Sequence, residues 1–384
     1  MPAICRSTLL DVRRCLGSTL APLLAASLRV PGTERHCCSY NRVVVVEAVD
    51  LFCGAGGLST GLQAAGVQIV AGVERDGDAL ATWSSAHPAA VAVNGDVNEV
   101  DWKRFDGVNL VVGGPPCQPW SVGGLRKGEE DERDGWPAFI AALRRLRPRA
   151  FLAENVAGLT EGAMRPRWER LVHELSAAGY VVSAKVLNAA DYGAPQKRRR
   201  CVVVGFGDRE PFVFPAPTHG PGRHQAWRPA GSVLEAAPRG EPNRAVVTYA
   251  ARPDLRRDPY SGHLFNGGGR PVNLAAPAPT LLASMGGNKT PWLDTAEVVP
   301  AYHAHLLAGG QPRSGLVHGA RRITVEEAAS LQTFPPAMCF EGTASSRYRQ
   351  VGNAVPPLLA EVLGRALLAQ LGGSVPASAH AAKL

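Results

Sequence analysis

One cysteine stands in a rigid turn suited to nucleophilic chemistry. Cys117 lies in GGPPCQPWS (residues 113–121), directly after an apolar run, Val108–Val112, that predicts a buried strand. Open α/β sheets bind ligands at the carboxyl ends of such strands, and a thiolate there is a nucleophile. The alternative is a small buried cysteine without a chemical role. Because two prolines fix the turn, we favour the nucleophile.

A carboxylate follows a second predicted strand. Glu154 begins ENV (154–156) after the strand at Phe151–Ala153, so it is expected near Cys117. A protonated carboxyl there can act as a general acid. The alternative is an acidic residue at a helix N-terminus beside Gly158.

A basic run leads into a third strand. In QKRRR (196–200), which precedes Cys201-Val-Val-Val204, strand alternation places Arg198 and Arg200 on one side. A guanidinium fixed at a strand start can point into a site. The alternative is that the whole run lies on a solvated face.

A glycine-rich turn predicts a nucleoside cofactor. DLFCGAGG (50–57) ends the first strand, and glycines let backbone amides approach a ligand at a helix N-terminus. Glu74, after the second strand, can accept from ribose hydroxyls, and Asp96, after the third, can accept from an adenine amino group. Many α/β proteins have such a turn, but G-x-G-x-x-G is not matched, which argues against a dinucleotide enzyme. A further motif, QVGNAVPP (350–357), precedes a predicted helix. Two interpretations stay open: the motif contributes to the site, or it is only the turn that begins this helix.

Strands alternating with ten-residue helices predict a doubly wound α/β sheet over 43–207, with a late strand pair at Val181–Leu187 and Arg200–Phe206. Proline and glycine are dense and periodicity is weak in 208–320. Helix returns at Thr324, where Thr324 and Glu327 fit a capping box. Residues 321–371 are predicted to return to the sheet domain, and 1–42 and 372–384 to be disordered.

Composition favours an anionic partner. Lys and Arg total 41 against 33 Asp and Glu, a net charge of +8, although a GC-rich genome also enriches arginine. The sequence contains no run of eighteen apolar residues, so no membrane-spanning helix is predicted. The eight cysteines show no C-x-x-C spacing, so no metal site is expected. Cys53, Cys201 and Cys339 stand among apolar residues and are predicted to be core residues.

In this order the motifs DLFCGAGG, GGPPCQPWS, ENV, QKRRR, RRITVEEAASLQTFP and QVGNAVPP strongly resemble the cytosine-5 DNA methyltransferases of prokaryotic type. The resemblance covers about 43–207 and 321–370. It implies a Rossmann-like S-adenosylmethionine-dependent sheet domain with a small, loop-rich, mostly β target recognition domain at 208–320.

The resemblance implies that Cys117 attacks carbon 6 of a flipped-out cytosine in duplex DNA. Glu154 would hold ring nitrogen 3 and the exocyclic amine, Arg200 the base oxygen, and Arg198 would support the site. Carbon 5 would take its methyl group from S-adenosylmethionine. Arg75 departs from members with an aromatic at this position, which leaves the adenine contacts open. The cofactor contacts implied are Asp50, Phe52, Cys53, Gly54, Ala55, Gly56, Gly57, Glu74, Asp96, Val97, Pro116, Asn353, Ala354 and Val355.

DNA contacts are implied in two regions, with the stretch Gly123–Arg133 matching a mobile loop that closes over DNA. Segment 280–289 resembles the start of the base-reading part, where Arg, Asn and Lys suit base edges and phosphates. The residues implied are Gln118, Ser121, Arg126, Lys127, Thr280, Gly286, Gly287, Asn288 and Lys289.

The expected protein is a cytoplasmic, nucleoid-associated monomer that needs no metal and no membrane. It is either an orphan methylase or one paired with a restriction endonuclease. Two alternatives stay open: an RNA (tRNA) cytosine-5 methyltransferase on the same scaffold, and a catalytically silent DNA-binding protein. A long, Gly-rich insert without a Cys-Phe-Thr element disfavours the first, and the intact Cys117, Glu154 and Arg200 disfavour the second.

Overall fold

The computed structural model describes residues 45–116, 134–207, 210–234, 239–266 and 269–372. Residues 43–384 group into one compact unit. Its centre is a seven-stranded sheet of order β3-β2-β1-β4-β5-β7-β6. The strands are β1 (Glu47–Leu51), β2 (Gln68–Glu74), β3 (Val91–Asn94), β4 (Leu110–Gly113), β5 (Ala150–Val156), β6 (Val181–Asn188) and β7 (Arg199–Phe206).

Strands β1 to β5 are parallel, and β7 runs antiparallel between β5 and β6. The predicted α/β sheet is therefore confirmed, as is the late strand pair. Strand order reverses between β1 and β4, which opens a crevice at their carboxyl ends, where α/β sheets bind ligands. The DLFCGAGG and GGPP segments leave the sheet at this crevice.

Helices cover both faces of the sheet. One face packs the leucines of α1 and α8, and the other packs Trp136, Phe139 and Phe151. A β-carbon on Gly61 would lie 2.1 Å from the carbonyl oxygen of Pro357, so glycine permits the close approach of α1 and α8. The helices are α1 (Gly57–Ala65), α2 (Gly77–Ala86), α3 (Trp136–Leu146), α4 (Arg165–Ala177), α5 (Val298–Leu307), α6 (Val325–Leu331), α7 (Ala344–Asn353) and α8 (Pro357–Leu371).

Among the described residues, one helical stretch, Ala344–Leu371, is long and apolar enough to cross a membrane. It comprises α7 and α8, which are separated at Ala354–Pro356. The leucines of α8 are buried in the core against α1, so packing within the protein accounts for their apolarity.

The segment predicted to recognise DNA contains small sheets and one unpredicted helix. Helix α5 arises in a region of weak periodicity because Asp294 accepts hydrogen bonds from the amides of Val298 and Val299, and because Val299 and Tyr302 are buried. The strands are β8 (Tyr249–Asp254), β9 (His263–Phe265), β10 (Pro271–Val272), β11 (Trp292–Asp294) and β12 (Ala320–Arg322).

Strand β12 pairs with β11 across the proposed boundary at 320, and a shared core joins Leu281 and Leu293 to Ile323 and Val351. The division into domains stays a prediction. The capping box of α6 at Thr324 and Glu327 is confirmed.

Candidate functional site

The glycine-rich turn is held against the end of β2. Phe52, Gly54 and Gly56 have φ angles of 57°, 53° and 86°, a left-handed region that strains a phenylalanine. The amide of Gly54 donates to Glu74 Oε2 at 3.0 Å. The turn is thus fixed by a carboxylate that the sequence predicts to bind a ribose.

The two predicted cofactor acids lie at the same edge of the sheet. Glu74 ends β2 and pairs in register with Asn94 on β3, so that Asp96 follows two residues beyond. Glu74 Oε1 accepts from the amides of Arg75 and Asp76, both at 3.0 Å. Asp96 is exposed and caps a short turn that begins at the neighbouring Val97.

Asp50 is a buried carboxyl beneath this turn. Its Oδ2 accepts from Ser59 Oγ at 2.5 Å, and Ser59 Oγ accepts in turn from Trp83 Nε1 at 3.0 Å. Its Oδ1 has no hydrogen-bond partner among the described residues. Burial raises the pKa of Asp50 to about 7, with nearby Glu74 adding to the rise and Ser59 opposing it.

The C-terminal motif meets the glycine turn. Helix α7 ends at Asn353, and Ala354 and Val355 lead into α8. A β-carbon on Gly57 would lie 2.2 Å from the carbonyl oxygen of Val355. The structure therefore brings 353–355 to the start of α1, although these residues are far apart in sequence.

The turn that precedes Cys117 is held at both of its carbonyl groups. Asn155 Nδ2 donates to the Pro115 oxygen at 2.9 Å, and the Gly135 amide donates to the Pro116 oxygen at 2.9 Å. The predictions for Cys117, Gln118, Ser121, Arg126, Lys127 and the stretch Gly123–Arg133 lie outside the described residues.

Glu154 and Arg200 form an ion pair beside this turn. Antiparallel pairing sets Val156 opposite Arg200, so that Arg200 lies diagonal to Glu154 on the same face. Arg200 Nε is 2.7 Å from Glu154 Oε1, yet this oxygen has no aligned hydrogen bond. The two side chains therefore form a mostly buried ion pair at the edge of the sheet.

The basic run alternates as predicted, because Lys197 and Arg199 are exposed while Arg198 and Arg200 turn inward. The two inward arginines differ, however. Arg198 is 1% exposed and donates to the carbonyl oxygens of Leu281, Gly352 and Asn353. Burial lowers its pKa to about 9. These contacts fix Arg198 within the protein, and its role in supporting the site stays a prediction.

A second buried junction lies next to Arg198. Gln196 Oε1 accepts from the Leu281 amide at 2.9 Å, and Gln196 Nε2 donates to Gln332 Oε1 at 3.0 Å. Gln332 Nε2 donates to the Val351 oxygen at 2.7 Å. This glutamine relay, Gln196 and Gln332, joins the start of β7 to segments 280–289 and 350–355.

The predicted base-reading residues lie on an exposed turn. Asn288 and Lys289 are exposed within a short helical turn, Gly287–Lys289, and Gly286 precedes it with φ of 144°. Thr280 Oγ1 donates to the Lys197 oxygen at 2.6 Å, so its hydroxyl is engaged within the protein.

Cys53 and Cys201 are buried as predicted, and burial raises the pKa of each thiol. The prediction for Cys339 is wrong. Cys339 is exposed, because its segment runs between α6 and α7 along the surface and only its neighbours Met338 and Phe340 pack inward.

Sequence reasoning missed three polar residues of the site: Ser59, Asn155 and Gln332. Ser59 lies in α1 just after DLFCGAGG, and Gln332 follows α6 within RRITVEEAASLQTFP, but their contacts to other elements are not evident from the sequence. Asn155 stood in ENV beside the more conspicuous Glu154. Its partner is a carbonyl group on another strand, which spacing alone does not reveal.

Known proteins are similar to this chain over most of its length. The family model described as C-5 cytosine-specific DNA methylase matches residues 46–227 and 287–369. Type II methyltransferase M.AplI of Arthrospira platensis is 33% identical over 83% of this chain and 84% of its own. Type II methyltransferase M.NgoMIV of Neisseria gonorrhoeae is 29% identical over 84% of this chain and 97% of its own.

Solved structures share the fold. A Spodoptera frugiperda DNMT2 variant has a TM-score of 0.63 at 16% identity, covering 84% of this chain and 99% of its own. The S. pombe Dnmt2 methyltransferase has a TM-score of 0.62 at 16% identity, covering 85% and 99%. The Rossmann-like α/β expectation is thereby confirmed.

Proposed function

The chain belongs to the C-5 cytosine-specific DNA methylases, and from this premise we propose that it modifies duplex DNA at a specific sequence through a covalent adduct on Cys117. It is a cytosine-5 DNA methyltransferase with type II relatives at about 30% identity. The observation that carries the proposal is the Glu154–Arg200 ion pair, which strands β5 and β7 place at the sheet edge beside the Pro115-Pro116 turn.

The family implies S-adenosylmethionine as methyl donor, and the residues of the crevice fit it. Glu74 and Asp96 suit the hydroxyls and amino group of its nucleoside, and a β-carbon on Gly54 would meet no atom within 4 Å, which leaves room for a ligand at the turn. Asp50 Oδ1 is a further buried acceptor. These residues would hold the donor with Asn353–Val355 at its methionine end, and no metal is needed.

The chemistry assigns one task to each side chain. The Cys117 thiolate bonds to carbon 6, and the electron pair of the 5,6 double bond moves into the ring as Glu154 gives a proton to nitrogen 3. Arg200 holds Glu154 and the base oxygen. Bound S-adenosylmethionine supplies an electrophilic methyl group to carbon 5. A base then takes the carbon-5 proton, which restores the double bond and expels the Cys117 thiolate, and nitrogen 3 returns its proton to Glu154.

The substrate is proposed to be duplex DNA with the target base turned out of the helix, since ring atoms are inaccessible within the stack. Segment 208–320 would supply recognition, and the eleven basic against seven acidic residues in 209–320 suit phosphates. The names of the relatives support a restriction-modification context, either paired or orphan. A cytoplasmic, nucleoid-associated monomer is part of the proposal.

Replacement of the nucleophile tests the mechanism. Cys117→Ser is expected to abolish methyl transfer and to keep DNA binding, because the hydroxyl is a far weaker nucleophile than a thiolate. Cys339→Ser is the matched control, since this exposed thiol lies outside the site. The measurement is transfer of labelled methyl from S-adenosylmethionine to duplex DNA and, in parallel, to tRNA.

DNA carrying 5-fluorocytosine should trap a covalent adduct with the Cys339→Ser protein and none with the Cys117→Ser protein. Full activity in Cys117→Ser would contradict the mechanism. Preferred methylation of tRNA would favour the RNA alternative, and wild-type protein that binds DNA without transferring methyl would favour the silent one.

A further inference from the structure

The approach to Cys117 has an unusual shortage of hydrogen-bond donors. Strand β4 stays in register with β5 up to Gly113 and Ala153. Pro115 and Pro116 follow, and because proline has no N–H, the turn cannot be fixed through its own amides. Only the two carbonyl oxygens are left to hold it.

Both carbonyl oxygens are held. The Gly135 amide donates a hydrogen bond to the Pro116 oxygen. A β-carbon on Gly135 would lie 2.4 Å from Pro116 Cδ, so only glycine permits this contact. The other oxygen, on Pro115, accepts from the side chain of Asn155 at 2.9 Å. One of the two anchors of the turn is therefore a replaceable side chain.

Asn155 is itself fixed. It is 4% exposed on β5, and its Oδ1 accepts from the Val156 amide at 2.8 Å, which leaves Nδ2 directed at Pro115. It is adjacent to Glu154 in sequence, so the same strand carries both the predicted acid and the anchor of the predicted nucleophile.

We propose that Asn155 is a positioning residue that sets Cys117 against the base held by Glu154 and Arg200. The inference rests on the proposed role of Cys117. Asn155 acts through the Pro115 carbonyl group and touches no reacting atom. A turn released at one anchor displaces the thiolate, and misplacement by 1 Å can cost about 100-fold in rate.

Two variants test this inference. Asn155→Ala removes the donor, and kcat and the rate of adduct formation on 5-fluorocytosine DNA are expected to fall about 100-fold. The KM for DNA and the affinity for S-adenosylhomocysteine should not change. Asn109→Ala is the matched control, because Asn109 also bonds a backbone group, the Glu47 amide, but at the amino end of the sheet.

Asn155→Asp gives a readout that a general loss of stability would not. Its ionised carboxylate repels the Pro115 oxygen, but its protonated form can donate to it, so activity relative to wild type should rise as the pH falls. The activity of Asn155→Ala relative to wild type should not change with pH. Two results would overturn the inference: folded Asn155→Ala that forms the adduct as fast as wild type, or Asn155→Asp whose activity relative to wild type does not change with pH. Activity in Cys117→Ser would instead refute the proposed mechanism.

Discussion

Two carboxyl groups of the site have different partners. Glu154 forms an ion pair with Arg200 at 2.7 Å. Asp50 faces a hydroxyl group, and burial raises its pKa to about 7. Neither difference is visible in the sequence, where both are acids at the ends of strands, because partner and burial are set by the strand order and not by neighbours along the chain.

The raised pKa of Asp50 predicts a stability change with pH. The unfolded chain ionises Asp50 near its ordinary value of 3.8, but the folded protein keeps the proton to about 7. The stabilising contribution is therefore complete below the ordinary value and is lost as the pH rises through about 7. Asp50→Asn, which mimics the protonated form, should gain stability relative to wild type between pH 5 and 7 and keep a constant difference above pH 8. Urea unfolding at several pH values measures this, and a difference independent of pH would contradict it.

At the scale of elements, the central sheet was predictable and the connections were not. Buried parallel strands are continuous apolar runs, and glycines after α1 and near β1 mark the turns, so the positions of the strands along the chain follow from pattern alone. Helix α7 was missed because its sequence, ASSRYRQVGN, is mostly polar. Thr343 caps its start locally, and Tyr348 and Val351 are buried against distant residues such as Leu281 and Ile323.

The glutamine relay is the connection that most depends on tertiary structure. Gln332→Met keeps the volume but removes the shorter hydrogen bonds of Gln196 Nε2 and the Val351 oxygen. These groups keep only longer contacts, to the Leu331 oxygen at 3.4 Å and the Ala354 amide at 3.3 Å, and each lost hydrogen bond contributes about 1 kcal/mol. The free energy of unfolding is expected to fall accordingly in urea denaturation. Gln68→Met, at an exposed position of β2, is the control. Equal stability of the two variants would show that the relay contributes nothing.

At the scale of the molecule, charge and function are distributed unevenly. Residues 1–42 and residues 209–320 each carry a net charge of +4, which together equal the total of +8 and leave the catalytic sheet near neutral. Such a distribution suits a protein that holds DNA through one segment and performs chemistry in a crevice lined by carboxylates. We propose that the exposed turn at Gly287–Lys289 takes part in reading the bases.

The most direct test of the central claim is bisulfite sequencing of a plasmid from a host that lacks cytosine methylation and expresses this chain. We predict protected cytosines within one recurrent sequence context for the wild-type protein and none for Cys117→Ser. It reports activity and target sequence together. Uniform conversion with the folded wild-type protein, or equal protection with Cys117→Ser, would contradict the account.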